Sequence, residues 1–363
     1  MKVLMVNTLG LQTGGITVSM LNYIREIDRE EIEIDITSTM ESDDEVIKQF
    51  QESCCKIYRL EHRKNNLFRY LMGLYKVLKS NSYDIIHVHG NSATIFFELI
   101  TAFLAGVKIR IAHSHNTTCD YKKVDKLLRP FFYFFCNGRF ACGKDAGKWL
   151  FGKKDFQIIY NGIDINKFKF DINSRNKIRK KLSIKNDDVL LGNVGNLNTQ
   201  KNQKFLIYMM EDLKVFSEKY KLIIIGNGDL EIQLKSKVKE LNLQENIIFA
   251  GHINNVYEYL SALDYMIMPS LYEGFPVTLV EAQVSGLQCL ISDRITEEVV
   301  STDLVSRIPL NTTSKWIEKI TKTKLTVNRE SYFEIMGNKG FTIIENAKKL
   351  QNQYIQLVKN IRR

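Results

Sequence analysis

Short apolar runs alternate with longer segments along most of the chain. The strand-like runs lie at 2–6, 33–37, 56–60, 84–88, 108–112 and 158–160, and again at 189–194, 221–225, 246–249, 264–268 and 288–291. Between most of them, apolar residues recur every three or four positions, which is the spacing of an amphipathic helix. Strands that alternate with helices are joined by right-handed crossovers into parallel sheets. The pattern therefore predicts an α/β protein.

This alternation stops and restarts near the middle of the chain. The turn-rich segment Asn161-Gly162-Ile163-Asp164 precedes residues 171–188, which are rich in Asn, Lys and Arg. With 363 residues, the chain is long enough for two domains, each with its own core. We predict two doubly wound, Rossmann-like domains at 1–168 and 169–340. The last segment, about 341–363, has helical spacing and no strand after it, and we expect it to pack back on the first domain.

The charge is distributed unevenly. Of the net charge of +10, residues 1–55 contribute 4 Lys/Arg against 11 Asp/Glu, whereas residues 56–155 contribute 18 against 7. Within this basic block, 121–140 combines five cationic side chains with seven aromatic ones. Such a block suits an anionic membrane, nucleic acid or a solvated helix surface, and 121–140 also fits a core helix with a charged face. No nucleic-acid-binding motif is recognisable, so we expect no nucleic-acid partner.

The remaining composition indicates a cytoplasmic protein. No run of about 18 uninterrupted apolar residues is present, and the N-terminal segment resembles a buried strand more than a signal peptide. The six cysteines form no pair of CxxC motifs, so no zinc site is indicated. We expect a cytoplasmic location, with peripheral attachment to the inner face of the cell membrane as an option.

Ligands of open α/β sheets bind beyond the carboxyl ends of the strands. Gly14 and Gly15 follow the first run and open a helix, where bare backbone and a helix N-terminus suit a phosphate. Gly226 begins the turn Gly-Asn-Gly-Asp after a later run, but Glu231 stands where a dinucleotide motif has its third glycine. The alternative for both is a simple turn. If the loops of the two domains face each other, they line an interdomain cleft, where we expect the active site.

Two histidine pairs lie at strand ends. His87 with His89, and His113 with His115, are each two residues apart and therefore point to the same side of their strand. Close pairs suggest a metal site, yet no carboxylate or other ligand stands beside either of them. We predict no bound metal and favour hydrogen bonding to a polar ligand, with a structural role as the alternative.

The most informative acidic pair is Glu273 and Glu281. Pro276 between them is typical of a helix start, so free backbone amides after it would suit a diphosphate. Carboxylates accept hydrogen bonds from sugar hydroxyls. Lys201, in the loop that follows run 189–194, could neutralise a departing phosphate. The alternatives are solvated acids near a helix start and an ordinary surface lysine.

Together these residues resemble the retaining enzymes of glycosyltransferase family 4, which have the GT-B fold. The most specific element is Glu273-Gly274-Phe275-Pro276 with Glu281 eight positions after Glu273, which matches the family's E-x7-E motif. Gly14-Gly15-Ile16 matches its N-terminal glycine loop, and Asn161-Gly162-Ile163-Asp164 its NGID-type turn. Within the family, the chain is most similar to bacterial enzymes of capsule and exopolysaccharide assembly.

The resemblance implies a role for each matching position. Glu273, His115 and Lys201 would be catalytic, with Glu273 and His115 on the donor sugar. Glu281 would bind the ribose, and Ile253 would approach the base through its backbone. The other donor-binding positions implied are Gly14, Gly15, Asn196, Gly226, Gly274, Phe275, Leu279 and Val280.

The family's pattern is broken at one position. It usually reads GRL-x3-K, whereas this chain has Gly195-Asn196-Leu197 and then Lys201, so a charge normally beside the diphosphate is missing. The resemblance implies transfer of a hexosyl unit from a nucleotide diphosphate sugar, with UDP favoured over GDP, to a lipid-linked glycan, with no cofactor or metal. The alternative is a weakly active or non-catalytic sugar-nucleotide-binding partner protein.

Overall fold

The computed structural model describes residues 1–8, 10–12, 14–39, 42–323, 325 and 328–362. The chain divides into two compact units. The first unit consists of Met1–Gly162 and Ile343–Arg363, and the second of Ile163–Thr342. The first unit thus ends before the expected boundary at 168, and the chain returns to it for the last helix.

A seven-stranded parallel sheet forms the centre of the first unit. Its strands are β1 (Lys2–Asn7), β2 (Glu33–Thr39), β3 (Ile57–Leu60), β4 (Ile85–His89), β5 (Ile109–Ser114), β6 (Gly138–Ala141) and β7 (Gln157–Ile158). Their order across the sheet is β3-β2-β1-β4-β5-β6-β7. Because β1 pairs with both β2 and β4, the winding reverses between β1 and β4. Val3 to Val6 are fully buried, as expected of a parallel strand covered on both faces.

Helices cover both faces of this sheet. They are α1 (Gly15–Glu26), α2 (Asp44–Glu52), α3 (Leu67–Asn81), α4 (Phe96–Ala105), α5 (Lys122–Phe135) and α6 (Lys144–Phe151). One core contains the inner faces of α1 and α2, and the other contains those of α3, α4 and α5. Among the described residues, no helix is both long and apolar enough to cross a bilayer.

The second unit repeats the plan with a six-stranded parallel sheet. Its strands are β8 (Val189–Val194), β9 (Tyr220–Ile225), β10 (Ile247–Gly251), β11 (Tyr265–Met268), β12 (Gln288–Ser292) and β13 (Val305–Ile308). Its helices are α7 (Ile172–Lys181), α8 (Gln203–Phe216), α9 (Glu231–Glu240), α10 (Val256–Ala262), α11 (Val277–Val284), α12 (Ser314–Lys322) and α13 (Ser331–Gly337). The strand order is β10-β9-β8-β11-β12-β13, so the winding reverses between β8 and β11. The prediction of two doubly wound α/β domains is confirmed.

The last helix, α14 (Ile343–Arg362), belongs to the first unit. Ala347, Leu350 and Tyr354 on this helix are fully buried, in the same core as α1. The apolar side of this helix therefore packs into a core formed by residues from the beginning of the chain.

Two strands have no counterpart in the sequence pattern. β6 consists of Gly-Arg-Phe-Ala and β13 of Val-Ser-Arg-Ile, so each is four residues long and contains an arginine. Neither forms an apolar run, because only part of each strand is buried. As a result, the basic and aromatic stretch 121–140 is not one element: it comprises α5 and then the first part of β6.

Candidate functional site

The site in the second unit lies where the winding of its sheet reverses. β8 and β11 are neighbours there, and the loops that leave their carboxyl ends run side by side. A doubly wound sheet opens a crevice at this point because the connections on either side leave toward opposite faces. Lys201 lies in the loop after β8, and Glu273 lies in the loop after β11.

Lys201 and Glu273 form an ion pair across these two loops. The Lys201 Nζ lies 2.7 Å from Glu273 Oε1, and both side chains are largely buried. Gln200 donates from Nε2 to Glu273 Oε2 at 3.1 Å and to the Tyr272 carbonyl oxygen at 3.0 Å. The Leu271 amide donates back to the Gln200 carbonyl oxygen at 2.8 Å. The two loops are therefore held in one fixed arrangement that places a cation and a carboxylate together.

α11 begins directly after this pair. Its N-cap is Pro276, with no side-chain cap, so the helix start presents backbone amides and the positive end of the helix dipole. The hydrogen bonds of this first turn show which of its amides already have a partner in the protein. The Leu279 amide donates to the Pro276 carbonyl oxygen at 3.0 Å, so the implied use of this amide for a diphosphate does not fit. The side chains of Leu279 and Val280 are fully buried. Val277 is the first residue of the helix, where amides have no partner within the helix.

Glu281 occupies the second turn of α11. Its side chain is partly buried, and within the described part of the chain its carboxylate forms no ion pair. Burial raises the pKa of Glu281 to about 7, although the nearby charge of Lys167 lowers it in part. Glu281 thus differs from Glu273, whose charge is compensated by a lysine. A carboxylate that accepts hydrogen bonds and that no lysine or arginine of the described residues pairs with suits neutral hydroxyl groups.

The glycines after β8 and β9 allow two loops to approach closely. A Cβ on Gly226, whose φ is +135°, would lie 2.2 Å from the Gly195 carbonyl oxygen. A Cβ on Gly228 would lie 2.4 Å from the Leu197 carbonyl oxygen. Packing alone therefore requires both glycines, which is the structural alternative left open for the Gly-Asn-Gly-Asp turn. Asn196, on the loop they contact, is exposed.

The remaining predicted positions of the second unit lie around this switch point. Ile253 is half-buried in the loop after β10. Gly274 and Phe275 are buried between Glu273 and α11, and the Phe275 ring packs on Phe341 with centroids 5.6 Å apart. The Phe275 side chain is therefore a packing residue, and only its backbone is available to a ligand.

In the first unit, Gly14 and Gly15 form the start of α1, after β1 at the reversal of that sheet. Gly14 is the N-cap in extended backbone, with no side-chain cap. A Cβ on Gly15 would meet no atom within 4 Å. Packing does not require glycine at position 15, so the open space over its backbone is available to a ligand.

The four strand-end histidines form one buried stack. His87 Nε2 lies 3.1 Å from His113 Nδ1, and His89 Nδ1 lies 2.8 Å from His115 Nε2. The two hydrogen-bonded pairs stack, with ring centroids 4.2 Å apart both for His87 on His89 and for His113 on His115. The Tyr354 hydroxyl of α14 lies 2.5 Å from His87 Nδ1 and continues the network.

Burial keeps this stack uncharged. It lowers the pKa of His87 and of His115 to about 3, and it holds the pKa values of His89 and His113 well below the ordinary value. A neutral imidazole at His115 can donate or accept a hydrogen bond but brings no positive charge to a departing phosphate. The Asn91 side chain accepts from the His115 amide at 3.0 Å and fixes the backbone there.

The stack is also the one place where the described residues bring three metal-binding side chains together. Ring nitrogens of His87, His89 and His113 all lie within 4.8 Å of one another. An ion shared by two facing nitrogens requires about 2.0–2.1 Å to each, and stacked rings direct their lone pairs in parallel planes rather than at one point. The observed ring geometry fits a hydrogen-bonded network better than a zinc site.

Three residues near these sites were not predicted from the sequence. Gln200 lies next to Lys201, and a polar residue beside a candidate is the one local signal that could have indicated it. Lys167 acts on Glu281 from 114 positions away, and Tyr354 contacts His87 from 267 positions away. No local pattern predicts such pairs.

Two family models match the chain over most of its length. Residues 13–167 match the model described as Glycosyltransferase Family 4, and residues 174–322 match the model described as Glycosyl transferases group 1. With two doubly wound sheets, these matches define the class: the chain is a glycosyltransferase with the GT-B fold.

Relatives from bacteria align along most of the chain. EpsF of Bacillus subtilis (strain 168), which carries the name of a glycosyltransferase, is 29% identical over 365 residues that cover 95% of this chain and 94% of EpsF. The Escherichia coli enzyme named UDP-Gal:alpha-D-GlcNAc-diphosphoundecaprenol alpha-1,3-galactosyltransferase is 29% identical over 316 residues, 80% of each chain.

The fold is shared with solved structures. HepE of Anabaena, crystallised with UDP and glucose, superimposes with a TM-score of 0.80 at 16% identity over 98% of this chain and 100% of HepE. At this identity the likeness shows the fold alone. Because the two family models together match residues 13–167 and 174–322, the chain belongs to glycosyltransferase family 4.

Proposed function

We propose that this enzyme moves a hexosyl unit from a nucleotide diphosphate sugar to a hydroxyl group of a lipid-linked glycan, with retention of the anomeric configuration. The product would be part of a bacterial capsular polysaccharide or exopolysaccharide. The observation that carries the proposal is the Lys201–Glu273 ion pair beside the uncapped start of α11. A cation, a carboxylate and open amides at one switch point are what a sugar diphosphate needs.

Each group has a proposed task at the reacting end of the donor. The Lys201 ammonium group and the first amides of α11 stabilise the negative charge that develops on the departing diphosphate. The Glu273 carboxylate accepts hydrogen bonds from sugar hydroxyls and keeps Lys201 in place at 2.7 Å. From the first unit, His115 acts on the donor sugar as a neutral hydrogen-bonding group, and the backbone of Gly14 and Gly15 acts on the phosphates.

Glu281 is proposed to bind the ribose. Two hydroxyl groups that donate to its carboxylate stabilise the charged form, which burial alone disfavours. Ile253, in the loop after β10, is proposed to meet the base through its backbone. UDP is favoured over GDP because the named galactosyltransferase uses a UDP sugar and HepE was crystallised with UDP.

The proposed reaction needs no metal ion and no cofactor. The bond between the anomeric carbon and the diphosphate oxygen breaks while the acceptor hydroxyl attacks from the same face, and the departing phosphate takes the acceptor's proton. Positive charge on the sugar and negative charge on the diphosphate are stabilised by protein groups alone. Removing divalent cations with EDTA is therefore expected to leave the transfer rate unchanged, and a lost rate that Mg²⁺ or Mn²⁺ restores would contradict this part.

Binding of the nucleotide is the first test. Calorimetric titration of the full chain with UDP, GDP and ADP is expected to show tightest binding of UDP. Glu281→Ala is expected to weaken this binding by about tenfold or more, which corresponds to about 1.4 kcal/mol. Glu211→Ala, at an exposed position of α8, is the matched control and should bind as the unchanged chain does. Equal binding by both variants would remove Glu281 from the site.

Transfer is the second test. The chain is incubated with labelled UDP-hexoses and a diphospholipid-linked glycan acceptor, and the anomeric configuration of the product is read by NMR. Glu273→Ala is expected to lower turnover by at least about tenfold, about 1.4 kcal/mol of barrier. Near-normal turnover of this variant, or a product of inverted configuration, would refute the assignment.

A further inference from the structure

α4 presents apolar side chains on both of its faces. Its inner face, including Leu99 and Ala102, is buried in the core of the first unit. On its outer face Phe103 and Leu104 are at least half exposed. The only charged residue of this helix, Glu98, is fully buried and pairs with Arg63 at 2.8 Å. Packing within the unit explains the inner face, but it does not explain an outer face without charge.

The neighbouring helix α5 extends this outer face. α4 packs against α5 through ring contacts, with centroids 5.7 Å apart for Phe96 and Phe131 and 5.3 Å apart for Phe103 and Phe135. Along α5, exposed apolar residues recur at intervals of three and four, which places them on one side of the helix. We define the apolar face as the exposed side chains of α4 and α5, which are Phe103, Leu104, Val124, Leu127, Phe131 and Phe134.

Lysines border the apolar face where α5 begins. Lys122, Lys123 and Lys126 are exposed, and in the described part of the chain none of them forms an ion pair. Cations in the first turn of a helix oppose its dipole, so Lys122 and Lys123 weaken α5 slightly. Arg129, one turn further on, is by contrast tied to Asp125 at 2.8 Å. The three lysines are therefore free to meet an external anion.

The charge of the surroundings has the same sign. Residues 56–155, which include α3, α4 and α5, carry 18 Lys/Arg against 7 Asp/Glu. A second copy of the chain on the apolar face would bring an equal excess of positive charge with it, which opposes association. An anionic phospholipid surface supplies apolar depth and negative charge together.

We propose that the apolar face inserts into the interfacial region of an anionic phospholipid bilayer, with Lys122, Lys123 and Lys126 on the headgroups. Its purpose rests on the proposed function, because a lipid-linked acceptor lies at such a surface. The binding itself does not depend on a donor or on turnover. It is therefore measured with the full chain and vesicles alone, so that its failure and the failure of the proposed reaction are distinguishable.

Vesicle flotation is the first experiment. The full chain is expected to bind vesicles of phosphatidylcholine with about 30% phosphatidylglycerol at least about tenfold more tightly than phosphatidylcholine alone, and to lose this preference as salt rises from about 0.1 to 0.5 M. Replacing Lys122, Lys123 and Lys126 together by glutamine is expected to remove most of the preference. Equal binding to both kinds of vesicle would overturn the proposal.

The apolar contribution is tested with matched pairs. Leu127→Ser with Phe134→Ser changes side chains that are 72% and 77% exposed, and Ile232→Ser with Phe216→Ser changes side chains that are 83% and 67% exposed in the second unit. Only the first double variant is expected to lose vesicle binding, by about tenfold or more. Unchanged thermal unfolding of both variants shows that they fold. Equal loss, or no loss, in the two variants would overturn the proposal.

Insertion is read directly by fluorescence. Leu127→Trp is expected to gain emission that is blue-shifted by anionic vesicles and quenched by brominated lipids, whereas Ile232→Trp gains emission that responds to neither. Sedimentation velocity without lipid tests whether a second copy of the chain, rather than a bilayer, binds the apolar face. A dimer of the unchanged chain that Leu127→Ser with Phe134→Ser dissociates would assign the apolar face to a second copy and refute bilayer insertion.

Discussion

Replacing Glu281 by glutamine removes a carboxyl group whose charge the folded chain disfavours. The side chain is partly buried on α11, and in the described part of the chain no cation pairs with it. Burial raises the pKa of Glu281 to about 7 from an ordinary value of 4.5. Glutamine has nearly the same shape and no charge, so the variant isolates the electrostatic cost.

The sign of the effect follows from the direction in which the pKa moves. Because the pKa of Glu281 is higher in the folded chain than in the unfolded chain, the folded state binds the proton more tightly. The stability from this proton is fully present below pH 4.5 and is lost as the pH rises through about 7. A tenfold difference in proton affinity corresponds to about 1.4 kcal/mol, so the cost of the charged group grows by about 2 kcal/mol between about pH 5 and pH 8.

The assay is thermal unfolding at a series of pH values from about 5 to 8 at constant ionic strength. Two units need not unfold in one step, so the transition of the second unit is followed. For a unit of this size, about 2 kcal/mol corresponds to roughly 4–8 °C. The melting temperature of Glu281→Gln, relative to the unchanged chain, is expected to rise by this amount across the series. Glu211→Gln is the control for the general effect of losing a carboxylate.

A difference that stays constant across this pH series would refute the reasoning, because it would mean that the Glu281 charge is not disfavoured in the folded chain. If the relative melting temperature of Glu211→Gln rises across the series as well, the effect comes from the change in net charge and not from Glu281. If the expected rise is observed and the same variant binds UDP more weakly, then Glu281 lowers the stability of the folded chain but is needed to bind the ribose. Such a trade-off between stability and function is common at ligand-binding sites.

The other predictions concern both units. Lys201→Met leaves Glu273 largely buried without its cation, so this variant is expected to lose about 3 kcal/mol of stability as well as turnover. Lys201→Met combined with Glu273→Gln should recover the stability but not the turnover. Full recovery of turnover in the double variant would exclude both residues from catalysis. Asn196→Arg restores the charge that the family usually has and is expected to raise turnover several-fold in the same donor assay. If the wild-type chain is inactive and only this variant transfers sugar, the non-catalytic alternative is favoured. His89→Phe fills the stack but removes the bond to His115, so turnover should fall by about tenfold while UDP affinity is kept; a loss of UDP affinity instead would point to a structural role.

Local chemistry in the sequence predicted much of this molecule. Apolar runs are strands because a parallel strand is buried on both faces, and their positions predicted eleven of the strands to within a few residues. Pro276 marks the start of α11, and the loops after strands contain Lys201 and Glu273. β6 and β13 were not predicted, because strands at or near a sheet edge are less completely buried and need fewer apolar residues. Both are short and contain an arginine.

Tertiary structure decided which of these residues meet. Lys201 and Glu273 are 72 positions apart, and only the adjacency of β8 and β11 joins them. The two histidine pairs are separate features of the sequence, and the pairing of β4 with β5 places them side by side as one stack. The apolar residues of α4 have the composition of a core helix, yet Phe103 and Leu104 face outward. Spacing along a chain encodes the face and period of one element, whereas burial, pairing and pKa depend on neighbours that packing brings from distant positions.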